Sequence, residues 1–179
     1  MEQQTHAMAQ AMRGIRVEKV TLNIGAGKDS QLLEKGVKLL TQITGLPPVK
    51  TITQKRIPNW GLRPGLPIGC KITLRGADAE KLIPRLLVAK ENRLGERNYD
   101  DAGSVSFGIP ECIDIEGAKY DPAIGIIGLQ ACITLTRPGF RVKNRRLRPA
   151  RLGKRHTITK EEAIAFMHGK FKTALEADK

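Results

Sequence analysis

The stretch IRVEKVTLNI, residues 15–24, alternates apolar and polar side chains and therefore predicts a β-strand with one buried face. Successive side chains of a strand point to opposite faces, so Val20, Leu22 and Ile24 would point into a core. The opposite face would carry Lys19, Thr21 and Asn23. Whether that polar face is merely solvated or meets a partner depends on what the neighbouring strands add to it.

The same alternation returns in residues 68–75 (IGCKITLR), in residues 129–136 (LQACITLT) and along Val105, Phe107 and Ile109. Residues 49–54 (VKTITQ) predict one further, shorter strand. The outward-facing side chains of these strands would be Lys71, Thr73, Arg75, Ser104, Ser106, Gln130, Thr134 and Thr136. The predicted outer face thus holds no Asp or Glu. Threonine favours strands anyway, which explains the hydroxyl groups but not the missing acids.

Helical periodicity occupies two of the intervals between these strands. Asp29 or Ser30 can cap a first helix, which Gly45 would end just before two prolines. A second helix is predicted from about residue 78 to 91. Pro84 lies within that range, so it either kinks this helix or occupies its first turn.

A last helix opens at Thr159, where Glu162 three residues later completes a capping box. Its predicted apolar face consists of Ala163, Phe166, Met167, Phe171 and Ala174. Strands and helices alternate without a repeat, which predicts an α+β domain with helices on one side of about five strands. We assign residues 13–179 to this domain, including a basic extension over 137–158, and residues 1–12 to a flexible arm.

The charges are sorted along the chain. Residues 35–77 contain eight Lys or Arg and no acid, and residues 122–160 contain ten bases and no acid. The net charge is +13, from 31 bases and 18 acids. Segregated positive charge repels itself and costs folding energy, so it points to a polyanionic partner. Nucleic acid is the usual partner of this kind.

The polar outer face of the sheet is the first predicted binding surface. Its cationic and hydroxyl side chains suit the phosphates and riboses of RNA. It carries no aromatic residue, so it is not a base-stacking platform of the kind found in single-strand binders. Recognition of folded, double-helical RNA by its shape and backbone fits this composition better.

The second candidate is the loop KRIPNWGLRPGLP, residues 55–67, which three prolines and two glycines keep out of regular structure. Trp60 either stacks on a base or sugar of a partner or tucks into the core. The side chains available to a partner would be Arg56, Asn59, Trp60 and Arg63.

The third candidate is the basic stretch, predicted to be extended and to become ordered only on phosphate. Its cations are Arg141, Lys143, Arg145, Arg146, Arg148, Arg151, Lys154 and Arg155. Nuclear localisation or membrane-surface binding is possible for such a run, but the amphipathic helical pattern for a membrane surface is missing.

Other classes of function have weaker support. Residues 22–30 (LNIGAGKDS) place glycines and a lysine between a strand and a helix, yet match no phosphate-loop motif. A nucleotide-dependent enzyme and a general double-stranded-RNA chaperone remain the alternatives. Cys70, Cys112 and Cys132 form no CxxC pair, so we expect no metal site and three small buried thiols. No apolar run is long enough to span a membrane.

Several strings together resemble one family, the universal large-subunit ribosomal protein number five. They are VEKVTLNIGAG, KRIPNWGLRPGLPIGCKITLRG, SFGIPECIDI, KYDPAIGIIGL, TRPGFRV and ITKEEAIAFM, in the family's order over about residues 13–172. The basic stretch before a capped final helix is similar to the archaeal and eukaryotic branch of that family.

The resemblance implies a curved antiparallel sheet, backed by helices, whose open face binds 5S ribosomal RNA in the central protuberance beside a large-subunit RNA hairpin. It implies RNA contacts at Lys19, Asn23 and Thr73, and contact of loop 56–66 with P-site transfer RNA. It further implies neighbouring large-subunit proteins, a bridge to a small-subunit head protein, a cytoplasmic location, and neither enzymatic activity nor a cofactor.

The chain departs from the family's usual pattern at three positions. Leu46 stands where the family commonly has Gln, a 5S contact, which puts one polar contact in doubt. Pro84 replaces a helix-forming residue, and Trp60 stands where the family usually has Phe, so that an aromatic ring is kept.

Overall fold

A computed structural model describes residues 12–118, 122 and 124–176. The predicted flexible arm, residues 1–12, lies outside the described residues except for its last member. Part of the string KYDPAIGIIGL also lies outside them. In the described parts, the strands are β1 (Arg16–Gly25), β2 (Val49–Ile52), β3 (Pro67–Arg75), β4 (Arg93–Gly95), β5 (Ser104–Ile109), β6 (Leu129–Thr136) and β7 (Ala174–Glu176).

Five of these strands form one antiparallel sheet in the order β2-β3-β1-β6-β5. The predicted α+β class with a five-stranded sheet is therefore confirmed. β1 lies in the middle, with Thr21 opposite Thr73 of β3 on one side and Cys132 of β6 on the other. β4 and β7 pair separately, in parallel.

The helices are α1 (Ser30–Thr44), α2 (Gly76–Val88), the single turn α3 (Arg141–Asn144) and α4 (Lys160–Phe171). Asp29 caps α1, its carboxylate accepting from the backbone N–H groups of Gln31 and Leu32. Gly45 ends α1 with φ +71°, as expected of a glycine at a helix C-terminus. Pro84 lies inside α2 and not in its first turn.

One hydrophobic cluster joins the inner face of the sheet to the helices. The alternating apolar residues of β1 interleave with those of β6, and Val20 and Leu22 are fully excluded from solvent. Leu40 of α1 and Leu86 of α2 are equally buried in this cluster. Burying each such side chain contributes roughly 1.5–3 kcal/mol, so this face fixes the position of every strand.

The final helix confirms the predicted capping box and corrects its predicted apolar face. The hydroxyl of Thr159 accepts from the N–H of Glu162, whose carboxylate in turn accepts from the N–H of Thr159. Ala163 and Met167 are buried. Ala174 is exposed and belongs to β7, because Lys172 leaves the helix in the left-handed conformation (φ +55°).

The basic stretch is a compact loop, so the prediction of an extended, unstructured segment is wrong. We call residues 137–158 the basic segment. Its first residue, Arg137, is only 5% exposed, and its Nη2 lies 2.6 Å from Oε1 of Glu162. Near its other end, Nε2 of His156 lies 2.8 Å from the carbonyl oxygen of Pro138. Both ends are thus held next to α4 before any partner arrives.

Glu162 both caps α4 and neutralises a buried guanidinium. The hydrogen bond from the backbone of Thr159, and secondly the one from Arg137, lower the pKa of Glu162 below its usual range. A lowered folded-state pKa means that this contribution to stability is present above the unfolded-state pKa, near pH 4.5. The contribution is lost as the pH falls through the folded-state pKa.

We predict that Glu162→Gln lowers the free energy of unfolding by about 1–3 kcal/mol at pH 7. Glutamine can still accept the capping hydrogen bond, so the loss isolates the uncompensated charge of Arg137. Urea unfolding at pH 7 and at about pH 4 would measure it, and the difference from wild type should shrink in acid.

Glu161→Gln is the matched control, because Glu161 occupies the same helical turn and is exposed. Its free energy of unfolding should change by less than about 0.5 kcal/mol. Equal stability of wild type and Glu162→Gln at pH 7 would show that the pair does not anchor the basic segment.

Candidate nucleic-acid interface

The register of the sheet gathers the predicted polar side chains into rows on one face, which we call the outer face. One row across β3, β1, β6 and β5 reads Arg75, Lys19, Thr134, Ser104. The next reads Thr73, Thr21, Cys132, Ser106, and the third reads Lys71, Asn23, Gln130, Gly108. All six predicted sheet residues on β1 and β3 thus lie side by side, half-buried on β1 and exposed on β3.

Side-chain hydrogen bonds tie these rows together. Nδ2 of Asn23 donates to Oε1 of Gln130 at 3.2 Å, and the hydroxyl oxygens of Thr21 and Thr73 lie 3.5 Å apart. The amide pair leaves Oδ1 of Asn23 and the NH₂ group of Gln130 to bond an outside partner. The outer face therefore offers fixed donors and acceptors.

Two predictions for β6 are wrong. Thr136 is 6% exposed, and its hydroxyl donates to the carbonyl of Arg137 at 3.3 Å, so it does not belong to the outer face. Cys132 is exposed in the middle of the outer face, whereas Cys70 and Cys112 are buried as expected. Strict alternation along β6 from Gln130 would have placed Cys132 outward.

The outer face also has one carboxylate at its border, which corrects the prediction of an acid-free face. The pairing of β1 with β6 shifts between Val17 and Lys19, so Glu18 is the extra residue of a bulge. Its Oε1 lies 3.3 Å from Nη1 of Arg75. The consecutive charges in RVEKV, which break the alternation, were the sequence signal for this bulge.

Two glycines leave one end of the outer face flat. A Cβ atom built on Gly25 or Gly108 would meet nothing within 4 Å, and neither residue has a positive φ. Both border a depression of about 480 Å³ beside Asn23 and Gln130. Glycine weakens a strand, so its presence there without an internal reason is typical of close approach by another molecule.

The loop 55–67 is a small projection with Trp60 at its tip. Ile57 and Leu62 exchange backbone hydrogen bonds of 3.1 and 3.0 Å around the 3₁₀ turn Pro58–Trp60, and Leu62 is buried as an anchor. Trp60 is 68% exposed, so the alternative of a core tryptophan is wrong. The other predicted loop residues, Arg56, Asn59 and Arg63, are exposed as well.

The turn 22–30 does not form a phosphate cradle. The N–H groups of Ala26 and Gly27 both donate to the carbonyl of Ile68, at 2.9 and 3.0 Å. The N–H groups at the start of α1 are capped by Asp29. A phosphate would therefore have to displace existing hydrogen bonds, and the geometry disfavours the alternative of a nucleotide-dependent enzyme.

Every predicted cation of the basic segment is exposed. This group comprises Arg141, Lys143, Arg145, Arg146, Arg148, Arg151, Lys154 and Arg155. Within residues 12–118, 122 and 124–176, no group of three His, Cys, Asp or Glu is placed to hold a metal ion. None of the helices in this part of the chain combines the length and apolarity that crossing a bilayer requires.

Comparison with known proteins identifies the family. A family model described as ribosomal protein L5 matches residues 10–63, and a second model, for the C-terminus of the same ribosomal family, matches residues 67–166. Large ribosomal subunit protein uL5 of Sulfurisphaera tokodaii is 47% identical over 165 residues, covering 92% of this chain and 93% of the relative.

Two further proteins of that name agree. The one from Nanoarchaeum equitans is 49% identical over 158 residues, covering 88% of this chain and 93% of its own. The one from Sulfolobus acidocaldarius is 42% identical over 175 residues, covering 98% of each chain.

The chain is therefore a structural ribosomal protein and not an enzyme, located on the ribosome in the cytoplasm. It belongs to the ribosomal protein L5 family, and the archaeal relatives agree with the branch that the basic stretch predicted.

The exposure of Cys132 gives a direct test of which side chains lie on the outer face. We predict that one thiol of the native protein reacts rapidly with Ellman's reagent and that the other two react only on unfolding. In Cys132→Ser the rapid phase should disappear, because burial holds Cys70 and Cys112 away from solvent and also raises the pKa of the Cys70 thiol. A rapid phase that survives this substitution would contradict the register of β6.

Proposed function

We propose that this protein is a component of the large ribosomal subunit that binds 5S ribosomal RNA through the outer face of its sheet. The observation that carries the proposal is the register that sets Lys19, Thr21 and Asn23 beside Arg75, Thr73 and Lys71. The family membership supports the ribosomal setting.

Affinity and geometry come from different parts of this surface. The ammonium and guanidinium groups release counterions from phosphates, which gives salt-dependent affinity without sequence information. The hydroxyl and amide groups in the rows can bond ribose 2′-hydroxyls, which distinguish RNA from DNA. The flat end at Gly25 and Gly108 lets an RNA backbone approach the sheet closely.

The other two surfaces extend this role. The loop around Trp60 carries an exposed indole on a braced projection and is proposed to contact the elbow of P-site transfer RNA. The basic segment is proposed to bind the adjacent large ribosomal RNA. Neighbouring large-subunit proteins and a small-subunit head protein complete the proposed partners, and we assign no residues to those contacts.

The proposal is tested by equilibrium binding to 5S ribosomal RNA and to an unrelated folded RNA of the same length, across salt concentrations. Asn23→Ala and Thr73→Ala should each weaken 5S binding by roughly 1 kcal/mol, the contribution of one hydrogen bond. Their binding to the unrelated RNA should stay unchanged, because that binding depends on charge alone.

Thr41→Ala is the matched control, since Thr41 is an exposed threonine on α1, which packs against the inner face. Glu18→Gln should act in the opposite direction and strengthen 5S binding roughly two- to fivefold, because it frees Arg75 from an exposed ion pair. Unchanged 5S affinity in both Asn23→Ala and Thr73→Ala would refute the outer face as the binding surface.

The loop has its own expected outcome. Trp60→Ala should leave 5S binding and the circular dichroism spectrum intact, because Trp60 packs on little of its own chain. It should weaken P-site transfer RNA retention on ribosomes by about 1–3 kcal/mol, the value of one stacking contact. Trp60→Phe, which restores the family's usual residue, should recover most of the loss, whereas full retention in Trp60→Ala would remove the loop's proposed role.

A further inference from the structure

A depression of about 450 Å³ opens within the basic segment, separate from the outer face and from Trp60. Phe140, Pro149 and Leu152 supply apolar walls, Lys143 and Arg151 supply cations, and Thr157 supplies a hydroxyl. A volume of this size is typical of a site for one small molecule or one nucleotide.

The walls of this pocket are held in place by the protein itself. The N–H of Ala150 donates to the carbonyl of Val142 at 3.1 Å, which closes the loop between them. The ring of Phe140 packs edge-on against His156, with 5.6 Å between ring centroids. Because the Arg137–Glu162 pair fixes the start of the segment, the pocket exists without a ligand and costs little ordering on binding.

The chemistry of the pocket favours a nucleotide over other ligands. An apolar wall containing an aromatic ring suits the face of a base, and the neighbouring cations suit its phosphate. A paired base stays stacked within its helix and cannot enter such a pocket, so the occupant must be unpaired. The loop that contributes Ala102 also carries Asp100 and Asp101, but neither of these acids lines the pocket.

We infer that this pocket receives a single unpaired nucleotide of ribosomal RNA. Its base lies against Phe140, Pro149 and Leu152, and its phosphate lies on Lys143 and Arg151. The inference rests on the proposed function, since it takes ribosomal RNA as the partner. It goes further by giving the basic segment a site that selects one bulged or flipped-out nucleotide, in addition to its general attraction for phosphate.

The test compares two RNA hairpins that differ only in one bulged nucleotide, using the full chain at physiological salt. Wild type should bind the bulged hairpin about tenfold more tightly than the fully paired one, as expected from stacking one base. The double substitution Lys143→Ala/Arg151→Ala should abolish this preference. Arg146→Ala/Arg155→Ala should keep it, because it removes the same charge from exposed positions that do not line the pocket.

A second measurement uses nucleoside monophosphates and inorganic phosphate as probes of the amide resonances of Ala150, Leu152 and Thr157. A monophosphate should shift these resonances at concentrations about tenfold lower than phosphate does, because only the monophosphate carries a base to stack. Absence of a bulge preference, equal losses in both double variants, or tighter binding of an acidic peptide would each overturn the inference.

The two proposals can fail separately. Selective 5S binding should survive in Lys143→Ala/Arg151→Ala, since the outer face is intact there. A wild type that prefers the bulged hairpin but does not distinguish 5S RNA from an unrelated RNA would refute the proposed function and leave the pocket standing.

Discussion

The burial of the inner face of β1 is the constraint on which the rest of the structure depends. Val20 and Leu22 are fully excluded from solvent between the helices and the neighbouring strands. A shift of β1 by one residue would turn these side chains outward and bring Lys19, Thr21 and Asn23 into the core. The cost of burying that lysine without a partner makes the shifted register inaccessible. The apolar face thus determines where every polar group of the outer face stands.

The same reasoning explains how a strongly basic chain can present its charge in order. A net charge of +13 repels itself in any compact state, so the cations need a framework that holds them in place. The basic segment is folded against α4, because one buried ion pair and the capping box hold its start. The stability of α4 is therefore coupled to the shape of the segment that it supports.

Much of this architecture could be predicted from the sequence because it depends on local periodicity. The strand alternation, the cap at Asp29 and the capping box at Thr159 each use residues within a few positions of one another. The positions of the predicted side chains on β1 and β3 followed from the same alternation.

The errors share a different origin, since each depends on contacts between distant segments. The bulge at Glu18 is defined by its pairing with β6, and the order of the basic segment depends on Glu162, beyond its end. The exposure of Trp60 was undecidable from composition, because it follows from the bridge between Ile57 and Leu62. Cys132 was misplaced for a simpler reason, since cysteines are usually buried and this expectation overrode the alternation along β6.

The most direct test of the central claim uses Cys132 as a natural reporter in the middle of the outer face. The rate of its reaction with a small maleimide would be measured with and without saturating 5S ribosomal RNA, and with an unrelated folded RNA at the same salt. If the outer face binds 5S RNA, the rate should fall at least about tenfold with 5S RNA alone. An unchanged rate at saturating 5S RNA would mean that the RNA binds elsewhere on the protein.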